Sequence, residues 1–112
     1  MRLALGTVQF GLSYGISNQS GQVSRETSKA VISLAQSKGI DTIDTAISYG
    51  ESEACLGEIG LDGFKVITKL PAIPDNITDI GGWIHNQMQL SLQRLNVISV
   101  YAVLLHYTQQ LF

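Results

Sequence analysis

The chain carries a single cysteine, Cys55, so neither an internal disulfide nor a cysteine metal site can form within it. Such usage fits a reducing compartment. Basic residues are sparse: seven Lys and Arg stand against nine Asp and Glu, a net charge of −2. No basic block exists, so nucleic acid is not an expected partner. Long apolar runs are missing too. The longest, 97–105, is interrupted by Ser99 and falls far short of a membrane span. Met1–Gly6 reaches glycine at once and does not read as a signal peptide, so a cytoplasmic location is expected. His85 and His106 are too few and too poorly spaced for a metal site, and none is expected.

What is present is enough for one modest core. Apolar residues make up 45% of the 112, so residues 1–112 are expected to fold as a single unit. Strand-like and helix-like segments alternate. Leu3–Val8 reads as a first strand, followed by a glycine-rich stretch from Gly11 to Gly21. Ser24 suits an N-cap, Glu26 the first turn of a helix, and Gly39 its stop. Ile40–Thr45 reads as the second strand, Glu51–Glu58 as a short helix, and Lys65–Leu70 as the third strand. A helix from near Thr78 to Leu95 follows, with Ile80, Ile84, Met88, Leu92 and Leu95 as its buried stripe. Gly81 and Gly82 weaken its start by roughly 1 kcal/mol each relative to alanine. Ser99–Leu105 reads as the fourth strand. This alternation predicts an α/β fold with a parallel sheet: about four βα units of a (β/α) barrel, half of the eight that a TIM barrel needs.

Four polar residues follow or end the predicted strands: Asp44, Tyr49, Lys69 and His106. In a parallel barrel such positions converge on the face that carries the chemistry. Tyrosine ordinarily titrates near pH ~10 and donates its proton poorly at neutral pH, but an adjacent ammonium favours the phenolate. Lys69 can supply that ammonium, Asp44 can hold it, and His106 can orient a reacting oxygen. Tyr49 would then protonate a carbonyl as a hydride reaches its carbon. Each residue also has a plain structural reading: a loop ligand, a solvated lysine, a Tyr-Gly turn, a satisfied histidine. All four at consecutive strand ends outweigh those readings taken singly. Cys55 is expected to be a buried inert thiol, His85 solvated, and Trp83 packing. Tyr14, in the glycine-rich stretch, is either a substrate-mouth residue or a loop anchor.

The string Asp44-Thr45-Ala46, Tyr49-Gly50-Glu51-Ser52-Glu53 and Leu56-Gly57 resembles the signature of the aldo-keto reductases. Gly6-Thr7-Val8-Gln9-Phe10-Gly11 resembles that family's first strand, Val66-Ile67-Thr68-Lys69 its lysine strand, and Leu104-Leu105-His106 its histidine strand. The resemblance implies a (β/α)8 barrel that reduces aldehydes and ketones with NADP(H), with NAD(H) as the alternative. It implies Tyr49 as general acid, Lys69 and Asp44 as its tuning pair, and His106 as the substrate-orienting group. It also implies Gly6, Thr7, Val8 and Asp44 against the nicotinamide, and Tyr49 and His106 against a small carbonyl substrate. The family's later strands, which grip the rest of the cofactor, have no counterpart in these residues. The chain is therefore expected to be an N-terminal half, weakly active or inactive alone, or else a non-catalytic truncated module or partner-dependent subunit. Its open edge strands, and an inner face drawn from whichever of Leu3, Leu5, Ile43, Ile67, Val103 and Leu105 point inward, would favour self-association.

Overall fold

A computed structural model describes residues 2–12 and 22–111; Tyr14 lies outside them. Strands and helices alternate as expected, except that two helices follow the first strand. Strand β1 is Ala4–Gly6, helix α1 Val8–Gly11, helix α2 Arg25–Ser37 and strand β2 Thr42–Asp44. Helix α3 is Ser52–Ile59, strand β3 Lys65–Leu70, helix α4 Ile80–Leu95 and strand β4 Ala102–Leu105, with a 3₁₀ turn at Thr108–Leu111. The four strands form one parallel sheet in the order β1-β2-β3-β4. Unbroken neighbour order with helical crossovers is how a (β/α) barrel is built up.

The caps lie where their chemistry places them. The Ser24 hydroxyl accepts from the Thr27 N–H at 3.2 Å and starts α2. Asp79 accepts from the Gly82 N–H at 3.0 Å and starts α4. Asn96, in the left-handed region at φ 56°, ends α4.

The core lies between the sheet and the helices. Ile43 and Val66 from the strands meet Phe10, Ile32, Cys55, Leu56, Leu61 and Leu95, with Leu5 packed at the margin. Cys55 is buried and His85 exposed, as expected. Trp83 is half-buried.

Three expectations need correction. First, β1 stops at Gly6, and Val8 is helical rather than extended. The Thr7 N–H still reaches the Asp44 carbonyl at 3.1 Å, but Phe10 then bonds back to Thr7 and turns the chain. Second, the set of inner-face candidates narrows, since Leu5 and Ile43 belong to the helix-side core. Register puts Val103 and Leu105 beside Thr68 and Leu70, both buried, so they share that side, while Ile67, Lys69 and Leu104 take the other. Third, the stripe of α4 is fully buried only near its C-terminal end. Ile80 is 48% exposed, whereas Ser91 and Leu95 are buried.

Candidate active site

The inner side of the sheet gathers the polar strand ends. Lys65, Ile67 and Lys69 alternate with the buried Val66, Thr68 and Leu70, so Lys69 projects away from the helices. Its ammonium donates to Asp44 Oδ1 at 2.7 Å and to the Thr45 carbonyl at 2.8 Å. The Lys69 side chain is only 14% exposed and that of Asp44 37%, so the pair is shielded on the lysine side and open on the acid side. The same ammonium stands 5.1 Å from the centroid of the Tyr49 ring, within cation–π range. The Tyr49 ring meets the His106 imidazole edge-on, 5.6 Å between centroids and 83° between planes. Asp44, Tyr49, Lys69 and His106 therefore converge from β2, the loop before α3, β3 and the end of β4.

Beside them lies an open cavity of about 230 Å³, lined by Val8, Leu12, Ser48, Tyr49, His106 and Tyr107. A larger hollow, about 500 Å³, lies at the C-terminal end of α4, away from these groups, and has no convergent chemistry. Tyr107 leans on His106 at 5.3 Å, tilted 32°. Nδ1 of His106 is buried without a hydrogen-bond partner. Of the residues expected near a nicotinamide, Val8 lines the cavity, and Gly6 shares its register with Asp44 and has open space in front of its Cα. Thr7 does not face the cavity: it is fully buried, and its hydroxyl donates to the Asp44 carbonyl at 3.0 Å. It supports the acid from behind. Ser48, Leu12 and Tyr107 were not singled out in sequence, because nothing local distinguishes a cavity wall from any other loop residue. Among the described residues no group of three or more His, Cys, Asp or Glu side chains is placed to hold a metal.

The residues between Tyr49 and Leu56 explain how the loop is held. Ser52 lies 3.0 Å from the Thr45 hydroxyl, 2.9 Å from that of Thr7 and 3.0 Å from the Thr7 carbonyl, all buried. One proton order satisfies every hydroxyl: Thr45 to Ser52, Ser52 to Thr7, Thr7 to the Asp44 carbonyl. Glu53 is buried, and its carboxylate accepts from Thr68 at 2.8 Å, from Ser91, and from Nε of Arg94 at 2.9 Å. Gly11 lets α1 press on the loop, since a Cβ there would meet the Tyr49 carbonyl at 1.8 Å.

The family model described as the aldo/keto reductase family matches residues 2–111. The chain belongs to the aldo/keto reductase family. No match was found among curated proteins. Among solved structures, the chain is similar to a Pseudomonas aeruginosa protein taken to be an aldo-keto reductase. That match has a TM-score of 0.77 and 29% identity, over 93% of this chain and 42% of the other. A second Pseudomonas aeruginosa structure, assigned in the same way, matches at 0.74 and 27%, over 93% and 40%. An aldose reductase from Giardia lamblia shares the fold, with a TM-score of 0.58 and 18% identity over 76% of this chain and 30% of that one. The chain thus spans about two fifths of the length of the Pseudomonas structures. Its four parallel strands form part of the family's barrel.

Proposed function

We propose that the chain supplies the proton-donating side of an NAD(P)H-dependent reduction of aldehydes or ketones to alcohols. The observation that carries this reading is the Lys69 ammonium, held by Asp44 and Thr45 and facing the Tyr49 ring. Tyr49 gives its phenolic proton to the carbonyl oxygen and is left as a phenolate. The fixed positive charge of Lys69 opposes the negative charge that develops there. Asp44 holds the Lys69 ammonium directed at 2.7 Å. His106, beside the phenol and on the cavity wall, orients the carbonyl.

The described residues fit a nicotinamide at its reactive end. Gly6 leaves room, Val8 gives an apolar wall, and Asp44 gives an acceptor. When bound, the reduced nicotinamide supplies the hydride. Arg25, Lys65, Lys69 and Arg94 are each committed to a carboxylate, so none of these is set aside for a cofactor phosphate. Low affinity and slow turnover are expected of these 112 residues alone.

Mixing the chain with NADPH, or NADH, and a panel of aldehydes and ketones tests the reading by oxidation of the reduced cofactor. Weak turnover that disappears in Tyr49→Phe is expected. Turnover that survives Tyr49→Phe removes the assigned acid.

A specific observation favours a second reading, a partner-dependent unit. Strand β4 lies at the edge of the sheet, where its outer backbone groups can pair with another strand, and its Val103 and Leu104 leave apolar surface uncovered, 40% and 47% exposed. Sedimentation velocity separates the two: a monomer over the micromolar range argues against self-pairing.

A further inference from the structure

We propose that Glu53 is a positioning residue that fixes the Tyr49 phenol relative to the Lys69 ammonium. The proposal rests on the acid–ammonium reading above. Glu53 lies in the first turn of α3, four residues beyond Tyr49. The span between them is tightened by the Ser52 N–H on the Tyr49 carbonyl at 3.0 Å and the Cys55 N–H on the Glu51 carbonyl at 2.8 Å. Its buried carboxylate accepts from the Thr68 hydroxyl on β3 at 2.8 Å. Thr68 immediately precedes Lys69 and points to the opposite side of the strand. A short closed path therefore runs from Tyr49 through the first turn of α3, across the Glu53–Thr68 bond, and through one peptide unit to Lys69. The cation–π contact closes it.

The other partners of Glu53 make the path stiff. Oε1 accepts from Nε of Arg94 at 2.9 Å, and the terminal nitrogen of the same guanidinium lies 2.8 Å away as an ion-pair contact without hydrogen-bond geometry, while Ser91 shares Oε2 with Thr68. The carboxylate is thus held from α4 as well as from β3. Packing alone does not require this arrangement, since an apolar side chain of similar volume fills such a space at no desolvation cost. What the carboxylate adds is direction. It fixes the register of β3 against α3, and so the separation of the two residues on which proton transfer depends.

The test separates a donor from a filler. In the full chain, Lys69 is shielded and holds two acceptors, so its ammonium should give a slowly exchanging signal in nitrogen-15 NMR of labelled lysine. Thr68→Val keeps size and shape but removes the donor. It is expected to keep the circular dichroism of the native fold, to lose that Lys69 signal and to broaden the Tyr49 ring signals. Glu53→Gln is expected to do the same. Thr68→Ser, which restores the hydroxyl but loses the methyl, should retain both sets of signals. A packing role predicts the reverse order, with Val unchanged and Ser impaired, and that result overturns the proposal. If Glu53→Gln fails to fold, the Thr68 pair decides alone. A chain whose carbonyl reduction survives Tyr49→Phe, yet which shows the predicted Val and Ser signals, loses the assigned acid while the positioning role stands.

Discussion

Gly57→Ala sets two physical effects against each other, and the structure says which should win. Gly57 is interior to α3, where alanine is favoured over glycine by about 1 kcal/mol. Helix propensity alone therefore predicts a more stable protein. A Cβ at this position, however, would lie 2.0 Å from the Arg94 carbonyl oxygen and 3.0 Å from the carbonyl carbon of Leu95 on α4. Carbon–oxygen contacts close at about 3.3 Å, so the two helices must separate by more than ~1 Å. Forcing a well-packed contact apart costs about 1–3 kcal/mol. The same movement pulls Arg94 from Glu53, and weakening a hydrogen bond to a charged group adds about 1.5–3 kcal/mol where it is lost outright. Set against the propensity gain, a net loss of about 2–3 kcal/mol is expected. With an unfolding entropy of about 2.1 cal/mol/K per residue, a 112-residue chain should then melt roughly 10 °C lower. Thermal unfolding by far-ultraviolet circular dichroism, with a urea titration as a check on two-state behaviour, measures this. An unchanged or raised melting temperature would refute the close approach of α3 and α4 and leave propensity in command.

Leu56→Ala should cost about 2–5 kcal/mol, because Leu56 is fully buried in the main cluster and its loss leaves a cavity between α3 and the sheet; the urea midpoint reports it. The Asp41 carboxyl is held below its ordinary range by the Thr42 hydroxyl first, at 2.9 Å, and by the Lys65 charge second. A carboxyl depressed in the folded state adds stability above its unfolded titration range, and that increment is lost as pH falls through the folded value. Wild type should therefore lose slightly more stability than Asp41→Asn between neutral pH and pH ~3, the effect staying small because the pair is exposed. Urea midpoints across that window check the sign, and a steeper loss in the variant contradicts it.

The elements that sequence exposes best are those with ordinary local chemistry. Ser24 and Gly39 bracket α2 because a hydroxyl cap and a positive φ each have one obvious residue type. The strand ends were legible because β2, β3 and β4 are bounded by charged or polar residues after apolar runs, and these brought Asp44, Lys69 and His106 to one side. The faces of the strands were less legible. In a parallel sheet both faces carry apolar residues, so Ile43 and Ile67 look alike in sequence although one meets helices and the other does not. Helix α1 is a single turn, too short for any periodicity to register. The start of α4 extends beyond the packed layer, so its apolar stripe outruns its burial. The clasp around Glu53 is invisible to hydrophobic patterning, because Thr68, Ser91 and Arg94 come from two distant elements. The one local sign was Ser91, which lies at helical spacing from Leu95 on the buried side.

Helix ends usually open first, since their leading N–H groups lack intrahelical partners. Helix α3 has no side-chain cap on Glu51, yet its first turn is tied down by its own second and first residues, Glu53 and Ser52. Those ties reach Thr7 and Thr45, which directly follow β1 and β2, and residues of β3 and α4. Releasing the turn therefore means breaking contacts with most of the fold, and the loop that carries Tyr49 cannot fray independently. Amide hydrogens at its start should exchange with solvent only as fast as the whole molecule unfolds. The segment that presents the phenol belongs, in dynamic terms, to the core.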